Sequence, residues 1–212
     1  MECRDERRVA SPKLLLFDLD GTLVDTEPIH YRAFTKACRI LRLPACSYED
    51  YLKLVHVDDG LSIAKFAGNN INGLNLLRKK YFMKYLKKSD CPIIHETMDV
   101  LVSSVERDVV AIVTNSTREY IELIKKKVPA LSKVTRWIVR EDCNERKPSP
   151  WPYLRAIELW GESSDEVHGY EDSIKGLRSL KSAIDIAKDR GWIKEGYIRH
   201  VCVREYPLVW QF

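Results

Sequence analysis

The chain has 212 residues, 45% apolar and 31% charged, a balance that allows a sizeable folded core and excludes a disordered or fibrous chain. Its formal charge of +4 suits a small anionic substrate and is too slight to argue for nucleic acid. No apolar run is long enough to span a bilayer, the charged first residues lack a secretion signal's apolar centre, and the six cysteines follow neither metal-site nor disulfide spacing, so a cytoplasmic protein with reduced thiols is expected.

The first element is the apolar run Leu14 to Phe17, the pattern of a strand buried on both faces of a parallel sheet. It stops at Asp18-Leu19-Asp20-Gly21-Thr22. Side chains alternate along an extended chain, so Asp18 and Asp20 are expected to point the same way from the strand's carboxyl end, where open α/β sheets place their ligands. Gly21 permits a tight turn and close approach of the backbone. Two carboxylates so placed repel unless a metal ion or a shared proton offsets the charge.

Helical spacing follows: Ile29, Ala33, Phe34, Ala37 and Ile40–Leu41 predict a helix ending near Pro44, and Ser47 predicts the N-cap of a second helix carrying Tyr48, Tyr51, Leu52 and Val55. Leu61 to Phe66 and Leu74 to Leu86 predict two more, and nothing between Asp25 and Asp90 reads as a strand. The run Arg78-Lys79-Lys80, Lys84 and Lys87–Lys88 reads first as a solvated helix face, with attraction of a phosphorylated substrate or an acidic partner as the alternative.

Val109 to Val113 predict another buried strand, ending at Thr114-Asn115-Ser116-Thr117 before a helix with Tyr120, Ile121 and Ile124. A hydroxyl and free amides between a strand end and a helix start form either a phosphate cradle or a plain N-cap. Trp137 to Val139 predict a third strand, and Lys147 lies in Arg146-Lys147-Pro148-Ser149-Pro150 just ahead of a helix through Tyr153, Leu154 and Ile157. Val167 to Tyr170 lead to Glu171-Asp172-Ser173, an acidic pair suited to a hard cation such as Mg²⁺, then to a helix through Leu177, Leu180 and Ile184. The last strand is expected over His200 to Val203, followed by an aromatic tail, Tyr206 to Phe212.

In this order, DLDGTL, TNS, KPSPWPYL and EDSIKG resemble the four motifs of the haloacid dehalogenase superfamily, in its branch of phosphatases and β-phosphoglucomutase-like enzymes. The resemblance implies a doubly wound parallel α/β core of residues 1–24 and 92–212, with a small all-helical cap domain of residues 25–91 inserted after the first strand. Hinges are expected near Val24–Asp25 and Cys91–Pro92. The implied activity is Mg²⁺-dependent hydrolysis of a small phosphorylated metabolite by a monomeric enzyme.

The same resemblance assigns roles. Asp18 is the nucleophile and Asp20 the general acid and base; Asp18, the Asp20 carbonyl and Asp172 hold Mg²⁺, with Glu171 binding directly or through water. Lys147, the Thr114 hydroxyl, Asn115 and backbone amides from Leu19 to Gly21 cradle the phosphoryl group. His30 and Thr26, in DTEPIH, are expected close behind Asp20. Trp151 stands where relatives carry an acidic residue, and the late final strand departs from their pattern. LKLVHVDDGL is similar to part of a β-phosphoglucomutase cap, but Val57 stands where those mutases carry a phosphate-gripping arginine, which favours hydrolysis over a mutase. A catalytically idle homologue that binds a partner through the basic cap and the aromatic tail is the remaining alternative.

Overall fold

The structure, a computed structural model, describes residues 11–56, 61–162 and 164–202. The two apolar runs form its centre: β1 (Leu14–Phe17) pairs in parallel with β2 (Val109–Val113) on one side and with β4 (Glu166–Glu171) on the other. With β3 (Arg136–Ile138) beside β2 and β5 (Glu195–His200) beside β4, the described strands make one parallel sheet of order β3-β2-β1-β4-β5.

Eight α-helices accompany the strands among the described residues: α1 (Glu27–Leu41), α2 (Tyr48–His56), α3 (Leu61–Ala67), α4 (Ile71–Leu86), α5 (His95–Ser104), α6 (Arg118–Lys127), α7 (Trp151–Trp160) and α8 (Ile174–Asp189). Alternation along the central strands decides which helices cover which face. Leu15, Phe17, Val110 and Ile112 pack with Met98 and Leu101 of α5 and with Ile121 and Ile124 of α6. Leu14, Leu16, Ala111 and Val113 pack on the opposite side with Tyr153 and Ile157 of α7 and Leu180 and Ile184 of α8. Helices on both faces of a parallel sheet are the doubly wound arrangement expected from the sequence.

Between β1 and β2 the described residues hold α1 to α4 before α5, and no strand of the sheet. Phe34, Ala37, Cys38, Tyr51, Ile63, Ala67 and Leu74 form a cluster of their own there. Ile29, Ala33, Phe82 and Leu86, from other positions of α1 and α4, join the cluster on the sheet. Ser47 caps α2 as expected, its Oγ accepting from the Asp50 amide at 3.0 Å. The chain leaves and re-enters the sheet side by side: the Asp25 amide donates to the Pro92 carbonyl at 2.8 Å and the Ile94 amide to the Leu23 carbonyl at 3.0 Å.

Two elements differ from expectation. α5 was not anticipated, because His95–Ser104 mixes polar residues among few apolar ones and buries Thr97 and Ser104 as well as Met98 and Leu101. The last strand covers Glu195–His200 rather than His200 to Val203. As an edge strand it pairs with β4 alone and leaves Tyr197 49% and Ile198 41% exposed, so its polar sequence carries no buried-strand signature. Val57, Val203 and the tail Tyr206 to Phe212 lie outside the described residues. Among the described residues no helix is long and apolar enough to cross a membrane.

Candidate active site

The carboxyl ends of β1, β2 and β4 meet at one edge of the sheet, and their parallel register brings separated residues together. Asp18 follows β1 directly, its amide donating to the Tyr170 carbonyl of β4 at 2.9 Å. Glu171 ends β4, Asp172 follows it, and Lys147 arrives from the loop ahead of α7. Lys147 Nζ lies 2.7 Å from Asp18 Oδ1, 2.6 Å from Glu171 Oε1, and 2.8 Å from both the Val113 carbonyl and the Tyr153 hydroxyl. A lysine at the end of a flexible stem is thereby fixed from four sides, with only 6% of the residue exposed.

Glu171 is fully buried, and both of its oxygens are occupied. Oε1 accepts from Lys147 and from the Tyr153 hydroxyl at 2.9 Å; Oε2 accepts from the Ser173 amide at 3.2 Å and hydroxyl at 3.1 Å. Ser173 Oγ also caps α8 by accepting from the Gly176 amide at 3.1 Å. Asp172 needs glycine opposite it. Gly21 has φ +88°, and a Cβ there would sit 2.1 Å from Asp172 Oδ2.

The electrostatics follow from one ammonium among three carboxylates. Burial pushes the Asp18 carboxyl well above its usual range; Lys147 pulls it back, while the charges of Glu171 and Asp20 push it further up. Burial likewise raises Asp172, with Glu171 and Asp18 adding to it. Burial alone would lower Lys147, but Asp18 and Glu171 outweigh it and keep the ammonium charged. One carboxylate oxygen from each of Asp18, Glu171 and Asp172 lies within 4.8 Å of the other two. An all-oxygen, acid-rich set, with Asp18 and Glu171 buried and Asp172 partly so, fits a hard divalent cation. Since protein donors already occupy Glu171, Asp18 and Asp172 are the better-placed ligands.

Asp20 does not join this group. Its Oδ1 accepts from Thr26 Oγ1 at 2.7 Å and from the Tyr120 hydroxyl, and its Oδ2 from Ser116 Oγ at 2.8 Å. Burial, and then the Asp20 charge, holds the Tyr120 phenol well above its ordinary value, so it remains a donor. Thr26 was expected behind Asp20. Ser116 and Tyr120 were not, because Tyr120 at helical spacing reads as an apolar core position.

Other expected residues sit less simply. Thr114 is 3% exposed, and its hydroxyl oxygen accepts from the Ser116 amide at 3.0 Å, leaving its proton available to a ligand. The Asn115 side chain clamps the Lys147 backbone, accepting from its amide at 3.1 Å and donating to its carbonyl at 3.3 Å. The Gly21 amide donates to the Val24 carbonyl at 2.8 Å, inside the turn rather than toward a ligand, and the Leu19 side chain is buried. His30 stacks on Phe82, ring centroids 3.8 Å apart.

A cleft of about 550 Å³ opens beside Asp20. Ser116 and Tyr120, two of its hydroxyl donors, form part of the wall, together with His30 and Phe82.

The chain is similar to known proteins in sequence and in fold. Protein CbbY of Rhodobacter capsulatus is 28% identical over 187 residues, spanning 81% of this chain and 82% of that protein. The N-acetylmuramic acid 6-phosphate phosphatase of Pseudomonas aeruginosa is 25% identical over 194 residues, spanning 88% and 83%. The crystal structure of CbbY from Rhodobacter sphaeroides in complex with phosphate superposes with a TM-score of 0.66 at 22% identity, covering 92% of this chain and 91% of that one. The sequence model of one family matches residues 15–185, from within β1 to within α8, and so takes in all four motif segments that converge at the sheet edge. This chain therefore belongs to the haloacid dehalogenase-like hydrolases.

Proposed function

We propose that the protein is a Mg²⁺-dependent phosphatase that hydrolyses a small phosphate monoester through an aspartyl-phosphate at Asp18. The observation that carries this reading is the buried Lys147 ammonium held between Asp18 and Glu171 at 2.7 and 2.6 Å, beside an Asp20 that is separately positioned by three hydroxyls. A nucleophilic carboxylate and a proton carrier in distinct surroundings are what two-step phosphoryl transfer requires. The names of the relatives, phosphatases of phosphoglycolate and of an amino-sugar 6-phosphate among them, support it.

In the first step an Asp18 oxygen attacks phosphorus, the bond to the ester oxygen breaks, and Asp20 passes a proton to that oxygen. In the second, water attacks the same phosphorus, Asp20 takes its proton, and the bond to Asp18 breaks to release phosphate. Lys147 and the Thr114 hydroxyl stabilise charge on the phosphoryl oxygens. Bound Mg²⁺, held by Asp18, Asp172 and the Asp20 carbonyl, would supply the remaining positive charge that three carboxylates and a phosphate demand. Glu171 serves this chemistry by fixing Lys147.

The reading divides the chain as the sequence suggested, with residues 25–91 as a cap over a core of residues 1–24 and 92–212. The paired linkers, Leu23–Asp25 against Pro92–Ile94, support adjacent hinges. The test is phosphate release from a panel of phosphorylated metabolites with Mg²⁺ and no bisphosphate activator. Conversion of a hexose 1-phosphate to its 6-phosphate with little phosphate released would replace the reading with a mutase. No turnover on any substrate would leave the idle homologue.

A further inference from the structure

The cleft beside Asp20 has an unbalanced wall. Arg78 and Lys79 of α4, Arg140 after β3 and Arg146 ahead of Lys147 all line it, and among the described residues no carboxylate does. Lys and Arg exceed Asp and Glu in the whole chain by only 35 to 31, so four cations and no acid among the described lining residues are not the chain's average surface. The four come from three separate segments, which distinguishes them from the solvated face of one helix.

None of the four takes part in an ion pair among the described residues. By contrast Arg118, next to the cleft-lining Thr117, is paired with Asp142 at 2.6 Å. Arg78 is half-buried and lies over the Phe34 ring, 5.7 Å from its centroid, which limits its freedom. Like charges converging on a partly enclosed volume repel one another until an anion enters. Phe82 and Met83 give the same cleft apolar surface for a carbon skeleton, and Ser116 and Tyr120 connect it to Asp20.

We infer that this cleft binds a second anionic group of the substrate, so that the preferred substrates are phosphate monoesters carrying a further phosphate or carboxylate on a short carbon chain. The inference rests on the phosphatase reading and narrows it. One end of the molecule meets Asp18 and Lys147, the carbon chain lies past Ser116 and Tyr120, and the far anion meets Arg78, Lys79, Arg140 and Arg146. Arginine suits this role because its planar fork can grip an oxyanion with two parallel bonds.

The experiment uses the full chain with Mg²⁺ and a featureless set of probes: α,ω-alkanediol bisphosphates of increasing length, the matching monophosphates, and the matching phosphorylated ω-hydroxy acids. Affinities are measured by calorimetry on Asp18→Asn, which prevents turnover. Hydrolysis of nitrophenyl phosphate by the unmodified enzyme is assayed separately. At one chain length a doubly anionic probe should bind about ten- to a hundredfold more tightly than its monophosphate, as one charge-assisted contact warrants. That ratio should collapse in Arg78→Gln/Arg140→Gln and shrink with added salt. Comparing bisphosphate with phospho-acid identifies which anion the cleft prefers. Equal affinity of mono- and doubly anionic probes at every length, or a ratio the double variant leaves intact, would overturn the inference. Failure to hydrolyse nitrophenyl phosphate would instead overturn the phosphatase reading, whatever the binding ratios.

Discussion

Replacing Lys147 by methionine removes the ammonium that faces Asp18 and Glu171 while keeping an unbranched stem of similar shape, shorter by that one atom. The residue is 6% exposed, so solvent does not screen the loss. Breaking a buried ion pair by deleting one partner costs about 3–5 kcal/mol, against a total stability of about 5–15 kcal/mol. For a chain of this size that corresponds to a fall in melting temperature of about 6–20 °C. The sign with pH is also fixed. Burial already raises the Asp18 and Asp172 carboxyls, and in both Lys147 acts to lower them, so the variant raises them further. A carboxyl whose folded-state pKa exceeds its unfolded value loses stability as pH rises from the unfolded value, about 3.9, through the folded one. The penalty should therefore be full near neutrality and shrink on acidification. Urea denaturation of both proteins without metal, at about pH 7.5 and about pH 5, reads it directly. A loss below about 1 kcal/mol at neutral pH, or one that grows in acid, would refute the reasoning.

Other consequences can be checked individually. Asp20→Asn keeps the hydroxyl contacts but removes the proton carrier, so kcat should fall by about 10²- to 10⁴-fold on alkyl phosphates, and by much less on nitrophenyl phosphate, whose leaving group hardly needs protonation. An equal loss on both substrates would argue against the acid role. Mg²⁺ at about a hundred times its Kd should stabilise the protein by about 2.7 kcal/mol in thermal scans. Chelator should abolish phosphate release, and Ca²⁺, with its looser geometry, should restore it poorly. In Gly21→Ala the backbone must hold φ +88° and the new Cβ meets Asp172 Oδ2, so melting temperature should fall and the Mg²⁺ needed for half-activation should rise; an unchanged Mg²⁺ requirement would count against Asp172 as a ligand.

Much of the fold was legible in the sequence because buried parallel strands leave continuous apolar runs. Leu14 to Phe17 and Val109 to Val113 are such runs, and the structure pairs them at the sheet centre. β5 escaped because an edge strand needs only one partner, and Glu195–His200 can remain polar and exposed. Asp18, Lys147, Glu171 and Asp172 were found by motif, and they do converge. What the motifs conceal is the use made of each atom. Asn115 reads as a phosphate contact, but its amide matches the Lys147 backbone in both donor and acceptor. Tyr120 and Tyr153 occupy core-spaced positions on α6 and α7, and only their hydroxyl contacts reveal that they orient Asp20 and Lys147. The basic stretch of α4 divides likewise: Arg78 and Lys79 line the cleft, a distinction that depends on what α4 packs against.

The central claim is that Asp18 carries the phosphoryl group between the two steps. Rapid acid quench during turnover of a phosphate ester labelled on phosphorus, followed by peptide mapping, measures this directly. The account predicts an acid-stable, hydroxylamine-labile label on the peptide containing Asp18, absent from Asp18→Asn and still formed by Asp20→Asn with a good leaving group. Label on another residue, or phosphate release by Asp18→Asn at the unmodified rate, would contradict it.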